Sequence, residues 1–237
     1  MLDKIDLKKV LFLDIETVPL HSNYEQLGEA EKELWNHKAQ FLSREDDTPS
    51  AIYQKAGIYA EFGKIVCISV GFFADVEKPN FRVKSFYGDD EKALLMEFIQ
   101  LLNENYRYKD QLLCAHNGKE FDFPYIARRI LINQLELPHI LNLAGKKPWE
   151  VQHLDTMELW KFGDYKHYTS LILLTHVFNI PTPKDDISGA DVWKVYWEEK
   201  DLHRIVNYCQ KDVITIAQLI LRFLRKELLK EEDITFA

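Results

Sequence analysis

Four acidic residues and one tyrosine are the residues of this chain whose types and spacing fit metal-dependent chemistry. Asp14 and Glu16 lie two residues apart in LFLDIET, Asp122 ends HNGKEFD, and Tyr208 precedes Asp212 by four residues in NYCQKD. Carboxylate oxygens are the ligands that hard cations such as Mg²⁺ and Mn²⁺ prefer. Two such cations about 3.5 to 4 Å apart can stabilise the attacking and leaving oxygens of a phosphodiester. The set therefore predicts a nuclease site for two metal ions.

Asp14 and Glu16 belong to a strand predicted at 10–18, whose first residues are apolar on both faces. Residues two apart in a strand project from one face, which places these carboxylates about 6.5 to 7 Å apart along the chain. Two carboxylates at the end of a buried strand are unfavourable unless cations or donors compensate them. The alternative interpretation is an exposed polar strand end.

The other acidic residues also have structural alternatives. Asp122, followed by Pro124, fits the N-cap of a helix. Tyr208 and Asp212 share one face of a predicted helix, but Asp212 beside Lys211 also fits a plain surface residue. Their conjunction favours a common site, because a mixed sheet and its last helix could bring all four acids together. Each of them is preceded or followed by an apolar residue.

The hydrophobic pattern predicts the elements that position these residues. Strands are expected at 10–18, 64–74, 81–87, 111–115 and 153–156, with the first three as a meander. Helices are expected at 25–41, 51–59, 89–105, from 122 onward, and at 199–229. This order predicts an α/β fold in one domain of residues 1–237, a mixed sheet flanked by helices. Residues 20–60 are predicted to form a helical insertion or lid.

Composition narrows the function classes. The net charge of −8 argues against a broad basic surface, although a carboxylate site neutralised by metal can still act on nucleic acid. Cys67, Cys114 and Cys209 are expected as buried free thiols in a reducing cytoplasm. No signal peptide or apolar run of ~20 residues is present, so we expect a cytoplasmic protein without a membrane partner. No nucleotide-cofactor or zinc motif occurs.

The motifs resemble a known superfamily. LFLDIET, HNGKEFDFPYIARR and YCQKD resemble the three exonuclease motifs of the DEDD superfamily, and YxxxD is the spacing of its DEDDy branch. The sister branch has a histidine where this chain has Asn207. Nearly the whole chain, including LDTMELWKF and IPTPKDDISGADV, is similar to stand-alone 3′-5′ exonucleases related to the proofreading domain of family-B DNA polymerases. No segment resembles a polymerase palm.

This resemblance implies an RNase H-like fold and a role for each motif residue. It implies that two Mg²⁺ or Mn²⁺ ions bind to four carboxylates, those of Asp14, Glu16, Asp122 and Asp212. It implies that Tyr208 positions the attacking water. Asp155, on the last predicted strand, either assists the metal or substrate or has a hydrogen-bonded structural role.

Further polar and aromatic residues near the motifs are candidate substrate contacts. The principal candidates are Thr17, His116, Asn117 and Phe121, with Phe121 favoured for stacking on a base. His116 and Asn117 are equally compatible with a turn. Other aromatic candidates, with core or groove-wall roles as the alternative, are Tyr165, Tyr168, Trp193, Tyr196 and Trp197. Basic candidates for a phosphate groove, with helix-surface roles as the alternative, are Lys119, Arg128, Arg129, Lys161 and Lys166.

We therefore expect a metal-dependent 3′-5′ exonuclease that converts single-stranded DNA to 5′-mononucleotides. One alternative is a 3′-5′ exoribonuclease with the same site, since selectivity depends on how the groove treats the 2′-hydroxyl. Another is a catalytically silent nucleic-acid-binding module. DNA is favoured over RNA as the single-stranded partner, and the intact set of five residues weighs against silence.

Overall fold

The computed structural model describes residues 2–42, 47–75, 80–164, 168–181 and 187–237. Within these ranges, six strands form one mixed sheet in the order β5-β4-β1-β2-β3-β6. The strands are β1 (Val10–Pro19), β2 (Gly63–Asp75), β3 (Asn80–Tyr87), β4 (Leu112–Ala115), β5 (Leu154–Asp155) and β6 (Ile234–Phe236). The first five confirm the predicted strands, and the predicted meander is the antiparallel set β1, β2 and β3.

The pairing of β1 with β4 leaves an opening in the sheet. The two strands run parallel and pair only along the first residues of β1, where the last pair is Phe12 with Cys114. β4 ends at Ala115 after pairing with β5, while β1 continues to Pro19. The second half of β1, which contains Asp14 and Glu16, therefore has β2 as its neighbour on one side and an open edge on the other.

Helices cover both faces of the sheet. They are α1 (Glu29–Ala39), α2 (Glu91–Asn105), α3 (Asp122–Ile132), α4 (Thr156–Lys161), α5 (Leu171–Val177), α6 (Val192–Lys194) and α7 (Leu202–Phe223). Side chains of a strand alternate between faces, and β1 follows this rule. Leu11 and Leu13 pack with α2 and α3, whereas Val10 and Phe12 pack with α7. The carboxylates of Asp14 and Glu16 belong to the α7 face.

The last helix is shorter than its apolar pattern predicts. Ile205, Val213 and Ile220 are buried as expected, but the helix ends at Phe223 and not near residue 229. Arg225 has a left-handed φ of 57°, a conformation that cannot continue an α-helix. The chain then turns back and adds β6 to the sheet, parallel to β3. This sixth strand was not predicted.

Residues 20–60 form a helical insertion with its own small core. Predicted helices at 25–41 and 51–59 correspond to α1 and to a 3₁₀ helix, Tyr53–Ile58, while residues 43–46 lie outside the described ranges. Trp35 is fully buried and meets the Tyr53 ring edge-on at 5.6 Å. The Tyr125 hydroxyl, on α3, donates a hydrogen bond to the Gly57 carbonyl at 2.8 Å. The end of the insertion is thus attached to α3. In the described part of the chain, no helix is both long and apolar enough to cross a membrane.

A buried ion pair completes this attachment. Arg129 Nε donates to Glu91 Oε1 at 2.9 Å, and Arg129 Nη1 donates to the Ala60 carbonyl at 2.7 Å. Glu91 also accepts a hydrogen bond from the Ile65 backbone N–H at 2.7 Å. Arg129 is 4% exposed, so the prediction that it lines a phosphate groove is wrong. Its guanidinium connects α3, α2 and the insertion.

We predict that Arg129→Met destabilises the protein by about 3–5 kcal/mol, because it leaves the Glu91 carboxylate buried without its counter-ion. Urea unfolding at neutral pH measures this loss. Arg128→Met is the matched control, since Arg128 is exposed on the same helix and its replacement should change the stability by at most about 0.5 kcal/mol. Equal losses in the two variants would contradict a special role for the buried pair.

Candidate active site

Asp14 and Glu16 lie together on β1, just beyond the end of β4. Each carboxylate has an oxygen within 4.8 Å of the other's, and the Sγ atom of Cys209 lies within the same distance of both. Glu16 is only 7% exposed, and Asp14 is half-buried. The predicted common face of these residues is therefore present, and the alternative of a plain exposed strand end does not fit.

Helix α7 brings Tyr208 and Asp212 to this face. Cys209 and Val213 belong to its buried apolar side, which packs on β1 and β2, and this packing turns the neighbouring positions toward the carboxylates. The Tyr208 hydroxyl hydrogen-bonds to the Asp212 carboxylate. Asp212 lies close enough to Asp14 and Glu16 to be the largest charge acting on each. Both residues are half-buried at the site.

Asp122 joins the site from the first turn of α3. Its carboxylate accepts hydrogen bonds from its own backbone N–H and from that of Ile15, on the part of β1 that β4 does not cover. Phe121 occupies the N-cap position, and Asp122 is the first helical residue. The alternative that Asp122 is an N-cap is therefore wrong, and its 3% exposed side chain points to the carboxylates of β1.

The loop before Asp122 is held by Asp155. The backbone N–H groups of Asn117 and Lys119 donate to the two oxygens of Asp155, each at 3.0 Å. Asp155 also caps α4, accepting from the Met157 N–H at 3.0 Å. A side chain at Gly118 would approach the Ala115 Cβ to 2.4 Å, so only glycine fits. Of the two roles considered for Asp155, the structure supports the hydrogen-bonded structural one.

The pKa values of the carboxylates show that their charges act on one another. Burial raises the pKa of Asp14 well above its usual range, and the charges of Asp212 and Glu16 raise it further. Burial and the Asp212 charge likewise raise the pKa of Glu16. Burial raises the pKa of Asp122 to about 7, against the opposing effect of its backbone hydrogen bonds. In the metal-free protein, burial and mutual repulsion therefore shift these groups toward the protonated form.

The donor set fits hard divalent cations. Four carboxylates surround the site, and oxygen ligands of this kind suit Mg²⁺ or Mn²⁺. Cys209 is close but is not suited to be a ligand, since its Sγ donates a hydrogen bond to the Asp14 carbonyl at 3.3 Å. Burial also raises the pKa of the Cys209 thiol well above its usual range, which keeps it protonated. The three cysteines are free and buried, as predicted.

The candidate substrate contacts lie in different environments. The Thr17 hydroxyl hydrogen-bonds to Tyr125, consistent with a side chain on the α3 face, opposite the carboxylates. His116 uses both ring nitrogens, Nδ1 with Thr156 Oγ1 at 2.8 Å and Nε2 with the Thr169 carbonyl at 3.0 Å. These contacts favour structural roles for Thr17 and His116.

Asn117 and Phe121 flank the loop that leads to Asp122. Asn117 has a left-handed φ of 63°, as a turn residue does, and its buried Oδ1 has no hydrogen-bond partner among the described residues. The half-buried ring of Phe121 lies 5.4 Å from that of Tyr125 and packs on the core. Phe121 thus adjoins the site with one side of its ring already occupied.

Several other aromatic and basic candidates have structural contacts. Trp193 Nε1 donates to the Ser22 carbonyl and Trp197 Nε1 to the Pro19 carbonyl, each at 3.2 Å. Tyr196 is buried, and its hydroxyl donates to Asp89. Lys119 pairs with Glu158 at 2.5 Å. Lys161 is half-buried, and Tyr165 and Lys166 lie outside the described residues.

Sequence reasoning missed the polar contacts beneath the site. Ser69 pairs with Asp14 across the sheet, and its hydroxyl lies 2.9 Å from that of Ser85. Gln210, on α7, donates to the Ser85 hydroxyl at 2.9 Å. The available signal is the period-2 spacing of Cys67 and Ser69, which places polar side chains on the otherwise apolar inner face of β2.

Comparison with known proteins supports the sequence resemblance. A family model described as "Predicted 3'-5' exonuclease related to the exonuclease domain of PolB" matches residues 58–234. A DNA polymerase of Pyrococcus glycovorans is 22% identical over 151 residues, which are 58% of this chain and 19% of the polymerase. This chain therefore spans about a fifth of that relative.

A solved structure supports the fold. The family B DNA polymerase from the hyperthermophilic archaeon Pyrobaculum calidifontis matches with a TM-score of 0.50 and 14% identity, over 91% of this chain and 25% of the polymerase. At this identity the likeness concerns the fold alone. The predicted RNase H-like mixed sheet flanked by helices is confirmed.

We predict that Asp122 contributes stability to the metal-free protein at about pH 4 and that this contribution is lost as the pH rises to about 7. The folded-state pKa of Asp122 is about 7 and its ordinary value is 3.8, so in this window the folded state holds a proton that the unfolded chain releases. Urea unfolding in EDTA across this range measures the slope. Asp122→Asn should make the slope of stability against pH less negative than in the parent, whereas Glu120→Gln, at an exposed position of the same loop, should not change it. An unchanged slope in Asp122→Asn would contradict the assignment.

Proposed function

The chain belongs to the family of predicted 3′-5′ exonucleases related to the exonuclease domain of family B DNA polymerases, and we propose that it removes nucleotides from 3′ ends of single-stranded DNA as 5′-mononucleotides. One observation carries this proposal: Asp14, Glu16, Asp122 and Asp212 act on one another's charge at the open edge of β1, with Tyr208 hydrogen-bonded to Asp212. Supporting evidence for DNA comes from the sequence relative of Pyrococcus glycovorans, which is named as a DNA polymerase.

The four carboxylates are proposed to hold two Mg²⁺ or Mn²⁺ ions. When bound, such ions activate water and stabilise the attacking and leaving oxygens of the phosphodiester. Asp14 and Glu16 offer oxygens from β1, Asp122 from α3 and Asp212 from α7. Because three elements of the fold contribute, their relative packing determines the geometry of the site.

Tyr208 is proposed to position the attacking water, as in the DEDDy branch. A phenol can donate one hydrogen bond and accept another, which suits it to orient a water molecule. Burial and the charge of Asp212 raise the pKa of Tyr208 above its usual range, so the hydroxyl stays neutral. Tyr208 therefore acts as a positioning group and not as a base. Asn207, where the sister branch has histidine, is exposed.

We predict that the purified protein shortens single-stranded DNA from its 3′ end with Mg²⁺ or Mn²⁺ and is inactive in EDTA. Denaturing gels of 5′-labelled strands measure the shortening, and chromatography identifies the mononucleotides. A blocked 3′ terminus should stop digestion, and a closed single-stranded circle should persist. Full activity after verified metal removal would contradict the metal site, and cutting of the circle would indicate an endonuclease. Faster digestion of a matched RNA strand would favour the exoribonuclease alternative.

We predict that Tyr208→Phe lowers kcat by about 10²-fold or more, since it keeps the ring and removes the hydroxyl that orients water. Metal binding, measured by calorimetry, should remain. Asp212→Ala removes a proposed ligand and should abolish both activity and normal metal binding. Asn207→Ala, one residue away on the exposed side of α7, is the control and should keep the parent's kcat. A fully active Tyr208→Phe would exclude the DEDDy assignment.

A further inference from the structure

Tyr168 has an exposed ring at the edge of the acidic site. The residue is 66% exposed. Partial burial, followed by the charges of Asp122 and Asp155, raises the pKa of its hydroxyl. Tyr168 therefore lies close enough to these carboxylates for their charges to act on its hydroxyl, while much of its ring remains open to solvent.

The backbone next to Tyr168 is hydrogen-bonded to the loop that precedes Asp122. His116, in this loop, has its ring 6.4 Å from the Tyr168 ring in an edge-on arrangement. Because a carbonyl only accepts, His116 Nε2 donates to the Thr169 carbonyl, at 3.0 Å, while Nδ1 accepts from the Thr156 hydroxyl. On the other side, Ser170 caps α5 by accepting from the Leu173 N–H at 3.3 Å. The Tyr168 ring thus lies beside the loop that leads to Asp122.

The contacts of Tyr168 differ from those of the other aromatic candidates. Trp193 and Trp197 use their indole N–H groups on backbone carbonyls, and Tyr196 is buried. Phe121 packs on Tyr125 and the core. Among the described aromatic candidates, Tyr168 has the most exposed side chain. Stacking on such rings is how proteins commonly hold single-stranded nucleic acid.

We propose that Tyr168 is a substrate-binding residue on whose ring one base near the 3′ end of the strand stacks. This inference rests on the proposed exonuclease function and adds a binding determinant outside the carboxylate set and Tyr208. Every base has a flat π face, so the contact would tolerate any sequence. It would hold the strand beside the carboxylates, and its loss should act on KM more than on kcat.

Steady-state kinetics on single-stranded DNA tests the role of the ring. Tyr168→Ala should raise KM by about 5- to 150-fold, the range for loss of one base–aromatic stack, with kcat changed by less than about 3-fold. Tyr168→Phe keeps the stacking surface and should stay within about 3-fold of the parent's KM. Tyr108→Ala is the matched control, because Tyr108 is also well exposed, at 73%. Tyr108 lines a separate cleft near the start of β4, together with Leu112 and His153. It should leave KM unchanged.

Abasic substrates distinguish stacking from a structural role. One abasic position, moved stepwise from the 3′ end, should weaken binding to the parent most at the nucleotide that stacks. At that position, the abasic lesion should not further weaken the binding of the strand to Tyr168→Ala. Equal KM in parent and Tyr168→Ala, or abasic penalties that are the same in both at every position, would overturn the inference.

Binding measurements separate this inference from the proposed function. Fluorescence anisotropy of a short labelled strand in Ca²⁺, which takes the same oxygen ligands, needs no turnover. A parent that binds the strand but does not hydrolyse it with Mg²⁺ or Mn²⁺ would refute the exonuclease proposal, while the affinities of the Tyr168 variants would still decide the stacking role. A parent that neither binds nor cleaves would refute both.

Discussion

Mutual repulsion of like charges in a partly dehydrated site is the constraint on which this structure depends. Asp14, Glu16 and Asp122 have raised pKa values because burial and neighbouring carboxylates disfavour their charged forms. The fold must hold these groups together against that cost. It does so by taking Asp14 and Glu16 from β1, Asp122 from α3 and Asp212 from α7, each of which packs on the core. The packing of α7 and α3 against β1 is therefore also the geometry of the site.

The connections behind the carboxylates are made by uncharged donors or by fully paired groups. Cys209 donates to the Asp14 carbonyl, and Asp155 binds the loop before Asp122 through backbone N–H groups. Farther away, Arg129 neutralises Glu91 and also reaches the insertion. Each connection fixes an element without placing a free cation beside the acidic cluster. The negative potential at the site consequently remains available for divalent metal.

Much of this arrangement was predictable because it follows from local periodicity. The alternation along β1 places Asp14 and Glu16 on one face, and the spacing in α7 places Tyr208 beside Asp212. Features that depend on distant partners were not predictable. Nothing local distinguishes Arg128 from Arg129, and burial of the second follows from Glu91, 38 residues away. The apolar pattern of α7 continues through Leu228 and Leu229, but these residues pack on the core after the chain reverses at Arg225. β6 is only three residues long, which is too short for a hydrophobic pattern to indicate a strand.

The same charges suit Tyr208 to the water-positioning role proposed for it, which the carboxylates could not perform. Carboxylates with raised pKa values hold protons more tightly and would have to release them to bind the proposed cations, so their charge would depend on pH and on metal occupancy. The Tyr208 phenol differs, because its ordinary pKa is already high. The neighbouring negative charges raise this pKa further, and the hydroxyl therefore stays neutral. Its hydroxyl can donate and accept hydrogen bonds in either state of the site. A group that orients water must keep this property while the charges around it change, and the environment of Tyr208 ensures that it does.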